Sequence, residues 1–469
     1  MYLKCTRCDS RYEYDVDRKL CEKCGCGLSI EIETPSNFME FYDKVGIWRY
    51  KQLFPYVSDS FQFSLGEGNT HLLESIRLKR ELNVEEIWFK NETTEPTGSY
   101  FDRSSALFVS YIKSLGYEKI VTYSTGNLAA SLAAYSSKTG IPLHVNVKPM
   151  VDVGKLYQMI IYGAKVNVIQ DFSKTKIFKK GEVLATEHDP IINEAKKTII
   201  LEIFLQLGKK LPEYIILPMG EGGLAYFTFK MLKELKQIFG LKDLRCKIIG
   251  VQPSGCAPIV EAYEKGLEDT SFETKPFTRI FDLSVPSPRY GSAALKAIRE
   301  TGGHAVSVSE EECYRALSIL AETEGILAEP AASLTLAGLI KLRRAGEIKH
   351  DSSVVCIITG GGLKDPKIMK DIALKKSEVG SLLEELSGGV KLGFTKRAIL
   401  ELLSSEDLYG YQIWRKLREN YKIMLKIPSV YQHLNQLIEM GYVKKAYSKN
   451  VLGRRREYYS LTEKGRIIL

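Results

Sequence analysis

Four cysteines near the amino terminus have the spacing of metal ligands. They form two C-x-x-C pairs separated by a short polar hairpin: Cys5 with Cys8, and Cys21 with Cys24. Two such pairs can place four thiolates around one ion, which is typical of a closed, structural Zn²⁺ site rather than a catalytic one. Cys26 is a spare that could replace Cys24. We therefore predict a zinc ribbon over residues 1–30, with free structural thiols as the alternative.

A second group of residues with chemical potential lies in short loops rich in glycine, serine and threonine. These loops cover residues 66–70, 96–103, 124–127, 220–224, 329–333 and 359–365. Several of them follow a β-branched run and precede a helical pattern. Backbone N–H groups at such strand-to-helix turns bind anions, so the pattern indicates ligand loops at the carboxyl ends of parallel strands.

In order and in sequence, these loops resemble the motifs of threonine synthases and their fold-type II relatives, which use pyridoxal phosphate (PLP). In that family the segment corresponding to residues 96–103 contains a lysine that holds PLP as a Schiff base and moves the substrate's Cα proton. Phe101 stands in its place here. Because a phenyl ring can neither form an imine nor titrate, we expect no catalytic residue at this position and no enzymatic activity.

The same resemblance implies a set of ligand-binding residues. In the family, the loop at residues 124–127 grips the substrate carboxylate and its Asn meets the cofactor ring. The loop at 220–224 cradles the phosphate, and the counterpart of Thr359 hydrogen-bonds the pyridine nitrogen. The residues expected to bind a ligand are Ser99, Ser124, Thr125, Gly126, Asn127, Gly220, Glu221, Gly222, Gly223, Leu224 and Thr359. Any PLP would be held without a covalent bond.

Two further residues bear on whether the chain could still catalyse a PLP-dependent reaction. Glu221 puts a carboxylate into the phosphate loop, where it would repel a phosphate or occupy the anion site, unless its side chain points to solvent. The sequence leaves both alternatives open. Lys90 is the lysine nearest to Phe101 in sequence, but active relatives have a lysine there in addition to their Schiff-base lysine. We therefore do not expect a relocated catalytic amine.

Strand and helix patterns alternate from about residue 66 to residue 366. The predicted strands are residues 119–123, 143–147, 165–169, 214–217, 247–251 and 354–358. Such alternation predicts an α/β fold with parallel sheets covered on both faces. With the resemblance, the prediction is a two-lobed, fold-type II PLP-enzyme-like body over residues 31–386.

The positive charge of the chain is concentrated at its carboxyl end. The formal net charge is +9, and residues 391–469 contain sixteen Lys and Arg against seven Asp and Glu, so this segment carries the whole excess. Charge confined in this way is typical of a module that binds a polyanion. A surface that was only solvated would spread the excess along the chain.

The same segment has its own pattern of short helices followed by two strands. Residues 408–411, 429–434 and 453–465 resemble motifs of PadR-like transcriptional regulators, which implies a winged helix-turn-helix over residues 390–469. A helix over residues 429–440 would enter the major groove, and an arginine-rich wing would contact the backbone or minor groove. The residues expected to contact DNA are Ser429, Tyr431, Gln432, Asn435, Arg454, Arg455 and Arg456.

These features lead to one functional hypothesis and two alternatives. We expect a cytoplasmic transcriptional regulator, without a membrane span or signal segment, whose inactive threonine synthase-like body senses an amino acid or related metabolite. It would bind a double-stranded DNA operator as a homodimer, paired through the body or residues 367–386. The alternatives are an active PLP-dependent lyase with a DNA-binding appendage, and a body that serves only as a dimerisation scaffold.

Overall fold

A computed structural model describes residues 1–33, 42–124, 126–147, 152–169, 180–243, 245–270, 276–374, 393–421, 423–451 and 454–467. The chain forms two compact units, Met1–Ile372 and Ala373–Leu469. None of the described helices is both long enough and apolar enough to cross a membrane.

The first unit begins with a small antiparallel sheet. Its strands are β1 (Tyr2–Cys5), β2 (Arg11–Glu13) and β3 (Leu28–Glu31), in the order β2-β1-β3. The hydroxyl of Tyr290 donates to the Leu28 carbonyl at 2.7 Å. The Tyr290 ring also lies directly against Gly27, where any Cβ would overlap it. Tyr290 therefore anchors this sheet to the rest of the unit.

The rest of the first unit is an α/β body. Its strands are β4 (Leu72–Glu74), β5 (Glu86–Asn91), β6 (Lys119–Tyr123), β7 (Leu143–Val147), β8 (Lys165–Val168), β9 (Glu182–Ala185), β10 (Tyr214–Pro218), β11 (Lys247–Pro253), β12 (His304–Val308) and β13 (Ser353–Ile358). Its helices are α1 (Leu78–Glu81), α2 (Phe101–Ser114), α3 (Asn127–Thr139), α4 (Val153–Ile161), α5 (Pro190–Glu194), α6 (Lys197–Gln206), α7 (Gly223–Phe239), α8 (Pro258–Glu264), α9 (Gly291–Glu300), α10 (Glu310–Glu324), α11 (Pro330–Arg344) and α12 (Pro366–Leu374). Short 3-10 turns cover Gly46–Leu53, Asp59–Phe61, Glu92–Thr94, Phe281–Leu283 and Gly362–Lys364.

Two sheets organise this body. The first has the order β8-β7-β6-β9 and is parallel throughout. The second has the order β12-β11-β10-β13-β5-β4 and is parallel except for β4, which runs antiparallel to β5. The predicted α/β fold class is confirmed. The ligand loops after β6, β10 and β13 leave the carboxyl ends of their strands, where parallel sheets bind ligands.

A buried ion network fixes the beginning of α2. Arg103 Nε lies 2.7 Å from Glu92 and 3.1 Å from Glu95, and its Nη1 lies 2.7 Å from Glu202. Lys90 Nζ lies 2.7 Å from Glu202 Oε2. All five side chains are buried, so removal of either cation, Arg103 or Lys90, would leave buried carboxylates uncompensated. The amine of Lys90 is committed to this network and does not approach Phe101.

The second unit has the helices and strands of a winged helix. Its elements are α13 (Phe394–Ser405), β14 (Leu408–Tyr409), α14 (Gly410–Tyr421), α15 (Ile427–Glu439), β15 (Val443–Val451), β16 (Arg454–Leu461) and α16 (Glu463–Ile467). The strands form an antiparallel sheet in the order β14-β16-β15. On α15, Val430, Leu434 and Leu437 are buried, and Ile438 is half-buried.

Candidate functional site

The segment that carries Phe101 is held in place by hydrogen bonds. The Tyr100 N–H donates to the Thr359 carbonyl at 3.0 Å, which ties the first turn of α2 to the loop after β13. The Asp102 carboxylate accepts from the Thr97 N–H at 2.6 Å and from the Thr97 hydroxyl at 2.7 Å. These contacts hold the residues on both sides of Phe101, whose ring is buried and lines a cavity.

The cavity brings together seven of the eleven residues expected to bind a ligand. They are Asn127, Gly220, Glu221, Gly222, Gly223, Leu224 and Thr359. Ser99 and Ser124 do not line it. Their hydroxyl oxygens accept from the N–H groups of Phe101 and Gly126, each at 3.3 Å. Gly126 does not line it either, and Thr125 lies outside the described residues.

Sequence reasoning missed a lysine in this cavity. Lys196 lies between α5 and α6, and its Nζ is 5.3 Å from the centroid of the Phe101 ring and 5.5 Å from that of Tyr100. It donates to Asn193 Oδ1 at 2.7 Å. The only signal in the sequence is a pair of lysines, Lys196 and Lys197, within an apolar helical run. The chain therefore does place an amine beside the position of the missing lysine.

Two carboxylates set the charge around Lys196. Burial lowers the pKa of Lys196 to about 8, although Glu187 and Glu221 act in the opposite direction. Burial raises the pKa of Glu187 to about 7, and Glu221 raises it further, whereas Lys196 lowers it. Burial also raises the pKa of Glu221. When all three groups are ionised, this part of the wall carries one net negative charge.

The side chain of Glu221 makes contacts within the protein. Its Oε2 accepts from the Arg289 N–H at 2.8 Å, and its carbonyl accepts from the Tyr290 N–H at 3.0 Å. The side chain is half-buried and lines the cavity. The sequence left two alternatives open for Glu221: a carboxylate in the phosphate loop that repels a phosphate or occupies the anion site, or a side chain that points to solvent. This position favours the first.

Another part of the wall is built from Asn127 and Glu329. The Asn127 Nδ2 donates to both carboxylate oxygens of Glu329, at 3.1 and 2.9 Å. Burial raises the pKa of Glu329 to about 7, while Lys155 lowers it. Lys155 lies 3.9 Å from Glu329 Oε2 and forms a close ion pair with Asp282, which also lines the cavity. A buried acid with a raised pKa is thus paired with an amide in the ligand loop after β6.

The cavity does not fit PLP as the family holds it. Its volume is about 60 Å³, below the roughly 300 Å³ at which pockets begin to enclose drug-sized ligands. Gly222 retains the left-handed conformation of a phosphate loop, at φ +83°, but Glu187 and Glu221 line the same cavity. Carboxylates oppose a phosphate dianion and the Phe101 ring offers no amine, so neither of these two positions favours the cofactor.

The four amino-terminal cysteines converge as their spacing predicts. The Sγ atoms of Cys5, Cys8, Cys21 and Cys24 all lie within 4.8 Å of one another. The Cys5–Cys24 and Cys8–Cys21 sulfur distances are 3.4 and 3.6 Å, close to the ~3.8 Å edge of a tetrahedral site with Zn–S bonds of about 2.3 Å. Cys26 is not part of this cluster, so Cys24 is the fourth member. The cluster could hold a metal ion.

The second unit presents a polar helix face. Tyr431, Gln432 and Asn435 of α15 are exposed, whereas Ser429 is half-buried. The ring of Tyr431 also packs on Gly410 at the beginning of α14, where any Cβ would overlap it. Neutral amides on an exposed helix can form paired hydrogen bonds with base edges in a major groove.

Arg454, Arg455 and Arg456 begin β16, and the two with described side chains differ in their environment. Arg455 is exposed, and its Nε donates to the Ser448 hydroxyl at 3.3 Å. The Arg456 guanidinium lies 4.5 Å from the Tyr409 ring centroid, is half-buried and hydrogen-bonds the Tyr409 hydroxyl. The side chain of Arg454 lies outside the described part of the chain. Arg456 therefore contributes to packing, whereas Arg455 is free to meet a polyanion.

The fold and the site thus define a fold-type II PLP-enzyme-like body joined to a winged helix. Comparisons with known families agree with both halves. Residues 63–360 match the family described as "Pyridoxal-phosphate dependent enzyme", and residues 399–469 match the "Transcriptional regulator PadR-like family". The chain belongs to the pyridoxal-phosphate dependent enzyme family and has a PadR-like domain at its carboxyl end.

Two threonine synthases are similar to this chain over most of their length. The chain is 37% identical to the threonine synthase of Methanocaldococcus jannaschii over 396 residues, covering 81% of this chain and 95% of that protein. It is 33% identical to the threonine synthase of Halalkalibacterium halodurans, covering 73% and 97% of the two chains. The PadR-like domain indicates a transcriptional regulator and implies binding to DNA.

Solved structures show the same fold at low sequence identity. The processed form of threonine deaminase isoform 2 from Solanum lycopersicum has a TM-score of 0.56 at 20% identity and covers 74% of this chain and 99% of its own. Maize serine racemase has a TM-score of 0.55 at 18% identity and covers 67% of this chain and 94% of its own. At such identities the likeness concerns the fold alone.

Proposed function

We propose that this protein is a transcriptional regulator whose threonine synthase-like body binds an amino acid or related metabolite without catalysing its conversion. The observation that carries the proposal is the buried Phe101 ring at the position of the Schiff-base lysine. General acid–base transfer and covalent anchoring together supply many orders of magnitude in rate, and Phe101 supplies neither. The cavity remains, with Asn127 and Thr359 in its wall.

The organisation that goes with this function has three parts. Residues 1–30 form a zinc ribbon, with Zn²⁺ held by Cys5, Cys8, Cys21 and Cys24 as a structural ion. Residues 31–386 form the sensing body, and residues 390–469 form the DNA-binding domain. The protein acts as a homodimer, since PadR-like domains typically work in pairs and a twofold molecule reads a twofold operator.

DNA recognition is divided between a helix and a wing. In this proposal Ser429, Tyr431, Gln432 and Asn435 of α15 face the major groove, and the exposed amides on that helix support the assignment. Arg454, Arg455 and Arg456 of the wing supply electrostatic affinity, of which Arg455 is the one with a described and exposed side chain.

The second candidate is an active PLP-dependent lyase with a DNA-binding appendage. The position of Lys196 favours it, because this amine lies beside Phe101 and burial lowers its pKa to about 8. Absorbance of the protein with added PLP, before and after borohydride, separates the two candidates. A reducible band that is lost in Lys196→Met would support the lyase, and no band would support the regulator.

The test of the regulatory function is an operator titration. An operator is first selected from genomic fragments with the full-length protein. Its affinity is then measured by fluorescence anisotropy with and without threonine, serine and homoserine derivatives, with PLP present and absent. A regulator of this kind changes its operator affinity with at least one of these compounds. An operator titration that none of them moves would leave the body as a dimerisation scaffold.

A further inference from the structure

One polar atom in the cavity wall has no partner within the described ranges. Asn127 is 5% exposed, and its Oδ1 accepts no hydrogen bond although its Nδ2 donates twice to Glu329. The carboxylate fixes the orientation of the amide, because the reversed orientation would set Oδ1 against negatively charged oxygens. Buried acceptors are rarely left unpaired. The wall therefore offers an acceptor, backed by a carboxylate, to a ligand that donates.

Lys196 offers the opposite kind of group to the same cavity. A lysine ammonium has three N–H donors, and one of them goes to Asn193 Oδ1 at 2.7 Å. The other two have no hydrogen-bond acceptor among the residues that the structure describes. Lys196 is 3% exposed, so water does not surround it as at a surface. A carboxylate in the cavity would satisfy these donors.

The acceptor and the donor are influenced by different nearest charges. The charges that act on Lys196 are those of Glu187 and Glu221. The charges that act on Glu329 are those of Lys155, Asp282 and Lys364. Lys155 and Asp282 also act on Glu187, so the two groups are linked, but the cavity still presents a donor and an acceptor to one small ligand.

We propose that the cavity binds a small, unphosphorylated α-amino acid, with its carboxylate on Lys196 and its ammonium on Asn127 and Glu329. The proposal rests on the sensing function above and names its ligand class. The orientation differs from the family's, where the loop at residues 124–127 grips the substrate carboxylate. Glu187 and Glu221 also oppose the single charge of the ligand's carboxylate, which Lys196 offsets. A phosphate would add negative charge beyond the one that Lys196 offsets, and is therefore excluded.

Binding should pass through a maximum with pH. Glu329 accepts an ammonium only when ionised, and its pKa of about 7 results from burial opposed by Lys155 and Lys364. Lys196 holds a carboxylate only when protonated, and its pKa of about 8 results from burial opposed by Glu187 and Glu221. Glu187, whose pKa burial and Glu221 raise to about 7, also ionises in this range and opposes the ligand's carboxylate, which Lys196 offsets. Affinity therefore rises as pH increases through about 7, where Glu329 begins to hold the ammonium, and falls as it increases beyond about 8.

Titration calorimetry with the full-length protein tests the ligand class directly. The probes are L-serine and L-threonine, ethanolamine as the amine alone, lactate as the carboxylate alone, and O-phospho-L-serine. We expect one of the two amino acids to bind, each single-charge analogue to bind at least about tenfold more weakly, and the phosphorylated compound not to bind. Binding of none of the probes, or of phosphoserine or lactate as tightly as the amino acid, would overturn the proposal.

Variants assign the two ends of the ligand. Lys196→Met and Glu329→Gln should each weaken amino acid binding at least about tenfold, and remove the alkaline and acidic falls in affinity respectively. The matched controls are Lys296→Met and Glu300→Gln, a surface pair with side chains 59% and 42% exposed, which should bind as the wild type does. If the cavity variants do not fold, the probe series and the pH profile of the wild-type protein decide the question.

The two proposals fail in different ways. An amino acid that binds with this pH profile but leaves operator affinity unchanged would remove the regulatory function and keep the ligand assignment. An operator response to a phosphorylated compound, with no amino acid bound, would keep the regulatory function and remove the ligand assignment.

Discussion

The proposed loss of catalysis depends on Phe101, whose neighbours Tyr100 and Asp102 keep the hydrogen bonds described above. The centroid of the Phe101 ring lies 4.4 Å from that of Tyr100 and 5.3 Å from Lys196 Nζ. We expect the wild-type protein and Phe101→Lys to release phosphate from O-phosphohomoserine only at background rate with PLP present, since Glu187 and Glu221 still oppose the cofactor phosphate. Phe101→Lys with Glu221→Gly should give a PLP absorbance band that borohydride reduces.

The control for this experiment is Glu221→Gly alone, which lacks an amine at position 101 and should show no such band. Phosphate release by the wild-type protein, measured with a coupled colorimetric assay, would contradict the loss of catalysis.

At this scale the sequence predicted the residues that belong to motifs. Phe101, Glu221, Asn127 and Thr359 were found because each interrupts or completes a recognisable loop, and all four line the cavity. Lys196 was missed, as was Glu187, because they come from the segment before α6, which carries no motif. Only tertiary packing brings that segment to Phe101, and packing between distant segments has no signal in local spacing.

Metal binding by the four clustered cysteines of the amino-terminal sheet (β1, β2 and β3) can be tested directly. We expect one Zn²⁺ per chain, found by elemental analysis of freshly purified protein, because four thiolates converge at tetrahedral distances. Cys24→Ser should lose the metal. Cys26→Ser is the matched control and should retain it, since Cys26 lies outside the cluster. Metal removal should loosen residues 1–30 and leave the DNA-binding unit folded. Protein without stoichiometric metal would contradict the assignment.

Two arginines of the wing are expected to differ in role: Arg455 in affinity for DNA, and Arg456 also in packing within the unit. Arg455→Ala should lower binding to all DNA sequences and reduce the salt slope by about one unit, and Ala at residues 454, 455 and 456 together by up to about three. Arg456→Ala should also lower the melting temperature of the unit, because its side chain packs on Tyr409. Gln432→Ala should instead cost ~1–3 kcal/mol at particular base pairs. Anisotropy titrations over a range of salt measure these effects, and an unchanged slope in the triple variant would refute the wing assignment.

Strands with a clear β-branched run were predictable from the sequence, and strands too short to show a residue pattern were not. The strands Lys119–Tyr123 and Leu143–Val147 have the bounds that their β-branched runs predict. The strand Leu408–Tyr409 was not predicted, because two residues cannot show an alternation, and it exists only through pairing with Tyr458 and Tyr459. The helix Ile427–Glu439 begins two residues before the predicted start, with Pro428 in its first turn.

For the molecule as a whole, the proposal requires that the body and the winged helix be coupled. Fold-type II bodies resemble two lobes that close on a ligand, and a ligand biases such closure only through different affinity for the open and closed forms. Couplings of ~1–3 kcal/mol correspond to a roughly 5- to 150-fold change in operator affinity. We expect a change of this size with the bound amino acid, measured by anisotropy. Asn127→Ala should abolish the change and leave ligand-free operator binding as in the wild type.

A dimer would make such coupling effective, because operator half-sites must lie near one helical turn apart. A small change in the spacing of two winged helices therefore changes their affinity for the operator. Sedimentation velocity on the full-length protein should give a dimer, and the selected operator should be twofold symmetric. A monomer that binds a single half-site with the same ligand response would contradict this route of coupling.

The anchoring of the first sheet by Tyr290 also has a consequence for how the chain is made on the ribosome. All four clustered cysteines have been synthesised once residue 24 is added to the chain. Tyr290, which hydrogen-bonds their sheet at Leu28, follows Leu28 by 262 residues. At translation rates of about 5–20 residues per second, roughly 13–52 s pass between the synthesis of Leu28 and that of Tyr290. Ion capture by the thiolates can therefore precede docking, and the nascent amino terminus must hold its shape from its own cysteines during that interval.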